Sequence, residues 1–188
     1  MRYCAEHKAA IRERLLAGSS ALAKQQGFAV TGVDALMKTI GLSGAAFYSH
    51  FPSKDALFVE LIERELGNSL ERLGGSPGEQ GRDKLKRCLH AYLSLAHVEQ
   101  PDKGCVLPTL GAEIARADEP VRQLTEQHIL RLQQAWAEIL GDGQLAWSLL
   151  AQCLGSLMLA RMMASTESRQ QVLDASRDML EHTLQSVG

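Results

Sequence analysis

The chain has 188 residues, a formal charge of −2, 45% hydrophobic and 22% charged residues. That is the composition of a folded chain of one large or two small domains, and it excludes general disorder and a uniformly polybasic nucleic-acid binder. The four cysteines, Cys4, Cys88, Cys105 and Cys153, stand apart with no CxxC pair, which excludes a disulfide scaffold and predicts reduced thiols in a cytoplasmic setting.

In chain order, residues 1–14 alternate charge too often to hold an apolar leader segment. A first helix is predicted from about His7 to Gln26, with Ile11, Leu15, Leu22 and Ala23 on one face and Gly27 as its stop. A short helix follows from Val33 to Ile40, capped by Thr31 and ended by Gly41. Another spans Gly44 to His50 behind Ser43, and Phe51-Pro52 breaks it. Ser53 caps a long helix from Lys54 to about Leu73, whose apolar stripe is Leu57, Phe58, Leu61, Ile62 and Leu66. The Gly-rich stretch 74–81 reads as a linker.

Beyond the linker, helices are predicted over 82–97, 106–116, 120–140, 144–164 and 167–187, with a tight break at Gly141-Asp142-Gly143. No alternating strand pattern of useful length interrupts them. The run 145–160 is apolar, but it is about four residues short of the roughly 20 needed for a membrane span. It also carries Ser148, Gln152 and Ser156, so a buried helix at a tight interface is expected, with no membrane partner. The architecture predicted is all-α: a three-helix front unit, 1–53, joined by a long helix to a C-terminal helical bundle that dimerises, 54–188.

Residues 31–51 carry the chemistry. Two helices of about eight residues, joined by Gly41-Leu42-Ser43, match a helix-turn-helix. Val33, Leu36 and Ile40 hold the first against the body, Gly41 turns the chain, and the second is left at the surface for a DNA major groove. Charge agrees: residues 1–64 hold eight Lys/Arg against six Asp/Glu, and residues 65–188 hold twelve against sixteen.

With those residues in place, the segment 28–58 resembles the N-terminal DNA-binding domain of the tetracycline-repressor (TetR/AcrR) family of bacterial regulators. The resemblance rests on Gly27-Phe28, Thr31, Ile40-Gly41, Ser43, the run Phe47-Tyr48-Ser49-His50-Phe51, and Ser53-Lys54 with Leu57. It implies a homodimeric transcriptional regulator, a repressor released from a palindromic operator by a small-molecule effector. It implies DNA contacts from Thr31 and Lys54 to phosphates, Ser43, Gly44 and Ala45 at the entry of the recognition helix, and Tyr48 and His50 at the backbone. Gly44, Ala45 and Ala46 stand where many relatives carry Lys, Arg or Thr. Sparse base readout is therefore expected, with specificity leaning on backbone fit and DNA shape.

The helices between 82 and 140 would then hold the effector. Cys88, Tyr92, Cys105, Leu110, Trp136, Trp147 and Met158 are the expected liners, along with Leu89. The dimer would form through 144–164, apolar nearly all round, and 167–187, whose stripe is Val172, Ala175, Met179, Thr183 and Val187. An alternative sensor is Cys105, behind Lys103 at a helix start, responding to oxidants or electrophiles. No GxSxG, HExxH or phosphate loop occurs and the six histidines are scattered, so no enzyme, cofactor or metal site is expected. A helical adaptor without DNA binding is the remaining class, and it would lack salt-dependent affinity for duplex.

Overall fold

The computed structural model describes residues 2–74 and 79–186, and every regular element among them is helical. Helix α1 (Arg2–Gln26) stops where Gly27 takes a φ of 92°. Helix α2 (Val33–Lys38) is followed by a 3-10 recognition helix (Gly44–Ser49) and the long helix α3 (Lys54–Leu73). Ser53 caps α3, its Oγ accepting from the Ala56 amide at 3.0 Å. All five residues of the predicted α3 stripe are buried. Residues 75–78 of the expected linker, and Val187, lie outside the described residues.

The second half differs from expectation in two places: residues 79–81 of the expected linker already belong to a helix, and the next helix is broken. The predicted helix over 82–97 is two: α4 (Glu79–Tyr92) and α5 (Leu95–Glu99). Ser94 makes the break, its Oγ accepting from the His97 amide at 3.3 Å. His97 Nδ1 meets the Tyr92 carbonyl at 2.7 Å and so fills the freed helix end. A 3-10 turn at Pro101–Lys103 leads to α6 (Leu107–Arg116), α7 (Glu119–Leu140), α8 (Gly143–Met162) and α9 (Thr166–Ser186). Gly141, at φ 75°, ends α7, and Asp142 caps α8 by accepting from Gln144 and Leu145 at 2.8 and 3.1 Å.

Two hydrophobic cores result. The first joins Leu15 and Ala23 of α1, Leu36 and Met37 of α2, Phe47, Phe51 and the α3 stripe to Val106, Leu110 and Ile114 of the α6 region and Val121 of α7. It therefore extends past residue 53, and α6 packs as part of the front unit. The second core unites α4, α5, α7, α8 and α9 around Leu89, Leu93, Trp136, Leu149 and Leu157. Helix α3 links the two: Trp136 Nε1 donates to the Leu73 carbonyl at 2.8 Å and anchors its far end in the body.

A candidate DNA-reading face and an internal cavity

The reading face is built by small, short-range devices. Gly41, at φ 75°, turns the chain between α2 and the recognition helix, a conformation that Gly adopts without the Cβ penalty. Gly44 lets the Asp34 carboxylate lie close: a Cβ there would be 1.8 Å from Asp34 Oδ1, so the Asp34 side chain, which is exposed, would have to swing away. The recognition helix is 3-10, not α, closed by Ala46 N–H to Ser43 O at 3.0 Å and His50 N–H to Phe47 O at 2.8 Å. Ser43 sits at its N-cap without a side-chain bond. This winding buries Phe47 and turns Tyr48 outward, 67% exposed, with the two rings edge to face at 5.3 Å. Ser43 and Ala45 are exposed and Gly44 and His50 half-buried.

Thr31 corrects the expectation. It is buried, its hydroxyl donates to the Gly27 carbonyl at 2.6 Å, and Gly32 rather than Thr31 is the N-cap of α2. Its side chain closes the turn from inside and does not cap the helix. Lys54 is half-buried at the start of α3, its ammonium on the Ala29 carbonyl at 2.9 Å and 4.8 Å from the Phe28 ring.

Two residues that sequence reasoning passed over fix this face. Glu113 of α6 accepts the amides of Phe28 at 3.0 Å and Ala29 at 2.7 Å, so the turn before α2 is pinned from the body. Arg12 of α1 donates to the His50 carbonyl, pairs with Glu60 and lies 4.0 Å over the Phe51 ring. Slight burial, then Lys8 and Arg12, hold the His50 imidazole below its ordinary range. Neither signal is local: both partners lie tens of residues away.

A half-open pocket of about 460 Å³ lies in the side of the body, with Arg72, Cys88, Ser94, His97, Lys103 and Cys105 among its walls, Arg72 and Lys103 being exposed. A narrow apolar chamber of about 30 Å³ adjoins it, walled by Leu70, Leu89, His128, Trp136 and Cys153 among others. Ser69, Leu73, Tyr92 and Cys105 line both. Of the expected liners, Cys88, Tyr92, Cys105 and Trp136 are thus brought together. Leu110 is not: it belongs to the first core. Trp147 and Met158 are not either; they stand 42% and 41% exposed on the outside of α8.

The cavity wall is a hydrogen-bonded lattice. The Cys105 amide donates to His97 Nε2 at 3.0 Å, which leaves Nδ1 to carry the proton that goes to the Tyr92 carbonyl. Arg161 donates from Nη2 to the His97 carbonyl at 2.9 Å, while its Nε and Nη1 are buried without partners. The Tyr92 hydroxyl is also buried without a hydrogen-bond partner, and the Cys105 side chain is near enough to act on its ionisation. Burial is the main reason that the Tyr92 phenol is pushed up and His97 held down, and it lifts the Cys153 thiol to about 12.

One contact joins cavity to reader. Lys24 of α1 is buried, pairs with Glu65 of α3 at 2.8 Å, and donates to the Gly104 carbonyl, a cavity wall, at 3.0 Å.

Comparison with known proteins agrees with this geometry. The model of the tetR family of bacterial regulatory proteins matches residues 15–61, the span from mid-α1 into α3. The nucleoid occlusion factor SlmA of Aliivibrio fischeri is 31% identical over 137 residues, 71% of this chain and 67% of that protein. The chain belongs to the tetR family. It therefore carries the family's N-terminal helix-turn-helix unit, joined to a helical C-terminal body. The transcriptional repressor NemR of Escherichia coli K12 is 30% identical over 119 residues, and the match spans 62% of this chain and 60% of NemR's length. The reduced form of E. coli NemR superposes with a TM-score of 0.74 at 25% identity, over 90% of this chain and 97% of that one. A TetR regulator from Chloroflexus aurantiacus shares the fold, with a TM-score of 0.77 at 20% identity over 94% and 96% of the two chains.

Proposed function

We propose that the chain is a cytoplasmic homodimeric repressor that holds a palindromic operator and releases it when a small molecule occupies the cavity. The observation that carries this reading is the uncovered outer face of the last two helices. Trp147, Met158, Leu159 and Met162 of α8 and Met179 of α9 are 41–70% exposed. Helix α8 is long and apolar enough to cross a membrane by length and hydropathy, yet only a third of that stretch is buried. A shallow groove along Gly155, Ser156, Val172 and Ala175 gives that face relief for a matching copy. A second copy would place two recognition helices about one DNA turn apart, roughly 34–36 Å.

On this reading residues 1–53 read DNA and 54–188 bind effector and partner. Ser43, Gly44, Ala45 and Tyr48 meet the groove, His50 and Lys54 the phosphates, and Thr31 supports the turn that aims them. Sparse side chains at 44–46 leave DNA shape and backbone fit to supply specificity. Selection of duplexes from a random pool tests this: an inverted repeat protected by two protomers is expected. A monomer bound to a single half-site, or binding that ignores salt, overturns it.

A second reading, regulation through the Cys105 thiol, is supported by its place on the cavity wall beside an unpaired phenol and by the likeness to NemR, known in a reduced form. Mild peroxide that leaves Cys105 unmodified, by mass spectrometry, removes that reading.

A further inference from the structure

We infer that the large cavity takes a small organic anion, a carboxylate whose head lies between Arg72 and Lys103 and whose apolar end lies against Leu73 and Tyr92. The inference rests on the cavity being the effector site, and it names the chemical class.

Charge is the first argument. Arg72 and Lys103 line the cavity, and no Asp or Glu lines either it or the adjoining chamber. Among the described residues neither cation has a carboxylate partner; Arg72 Nε only reaches the Asn68 carbonyl, at 3.3 Å. Glu65, which shares Lys24 with the Gly104 carbonyl of the wall, is already paired. A concave wall of one sign focuses its potential on the space it encloses.

Unspent donors are the second argument. Arg161 stands behind the His97–Gly104 wall, Nη2 being 3.3 Å from where a Gly104 Cβ would lie, with Nε and Nη1 buried and unpaired. The Tyr92 hydroxyl, on the wall itself, has no acceptor. Buried donors without acceptors are rare in folded proteins; the Tyr92 hydroxyl faces the pocket, and Arg161 lies behind the Gly104 wall and adds positive charge there. An anion supplies acceptors and charge together. A neutral ligand would leave the cations unmatched, and a cation would be repelled.

Shape is the third. About 460 Å³ suits a small organic molecule. Leu73 and the carbons of Tyr92 give a hydrocarbon an apolar surface in the same pocket.

The test is calorimetric titration at constant ionic strength with hexanoate and with hexanamide, which differ in charge and little in shape. Hexanoate is expected to bind about tenfold tighter. In the double variant Arg72→Gln/Lys103→Gln, both sites exposed, that preference should fall to about twofold or less, the thermal midpoint unchanged. Equal binding of the two probes, no binding of either, or a preference that survives the double variant overturns the inference. Duplex affinity, measured in parallel with the selected inverted repeat, separates it from the reading beneath it. Hexanoate that binds selectively without loosening the duplex leaves the ligand class standing and removes effector release. Two probes that bind alike and both loosen the duplex do the reverse.

Discussion

The ammonium of Lys24 lies 3.0 Å from the carbonyl oxygen of Gly104, so a residue of the front unit is bonded directly to the wall of the large pocket. The same cation pairs with Glu65 at 2.8 Å, and Glu65 also accepts from Ser20 at 2.7 Å. Movement of the 104–105 segment therefore pulls on α1 and α3 at once.

Lys24→Met is expected to cost about 3 kcal/mol, because it leaves the Glu65 carboxylate without its cation. Adding Glu65→Leu should recover at least half of that loss, since an apolar pair of similar volume is tolerated where a lone charge is not. Urea unfolding of the two variants checks both expectations. Recovery absent from the double variant would show that the pair matters through Gly104 rather than through its buried charge.

Tyr48 and Phe47 are neighbours with opposite roles. Tyr48→Ala should change stability by less than about 0.5 kcal/mol, as its side chain is mostly in solvent, but weaken duplex binding by about tenfold or more. Phe47→Ala should cost about 3–5 kcal/mol, because its ring is wholly buried. Unfolding and fluorescence anisotropy on the same two proteins give the contrast; a Tyr48 variant with undiminished duplex affinity removes Tyr48 from the reading face.

Leu159 is 47% exposed beside the α8–α9 groove. Leu159→Glu would bury a like-charge pair in a two-fold contact and should give a monomer in sedimentation with helix content retained. Duplex affinity should fall by about a hundredfold or more as the second reader is lost. A dimer that persists would move the interface to another face.

His97 has a pH consequence. Its Nε2 accepts from the Cys105 amide, so a second ring proton would face an N–H donor, and burial already holds the imidazole below its ordinary 6.5. The native state thus binds fewer protons than the unfolded chain in that range. Stability is fully present above about 6.5 and falls as pH drops from there toward the lowered native value. His97→Gln should flatten the stability profile between about pH 7 and 5.5 relative to wild type. His50 is shifted in the same sense and remains in both proteins, so it leaves the difference intact.

Local chemistry was legible in the sequence where it acts within a few residues. The cap at Ser53, the stop at Gly27, the turn at Gly41 and the break at Gly141-Asp142-Gly143 all lie where the residues predict. Long-range chemistry was not. Ser94 splits the predicted helix because His97 and Tyr92 close the break together, and no periodicity reports that. Thr31 has the composition of a cap, but packing turned its hydroxyl inward to Gly27. Trp136 and Trp147 are alike in sequence context. Helix α8 is apolar on every side, so nothing in its own pattern says that Trp147 faces out while Trp136 meets the cavity chamber.

The close approach of Asp34 to Gly44 restricts how this regulator can be retargeted. Any side chain at 44 must first displace a carboxylate of the preceding helix. A library that keeps Phe47 and moves the exposed Asp34 carboxylate aside can therefore vary position 44 as well. One that varies Ala45 and Tyr48, or frees position 44 with Asp34→Ala, would explore new operators on an intact scaffold.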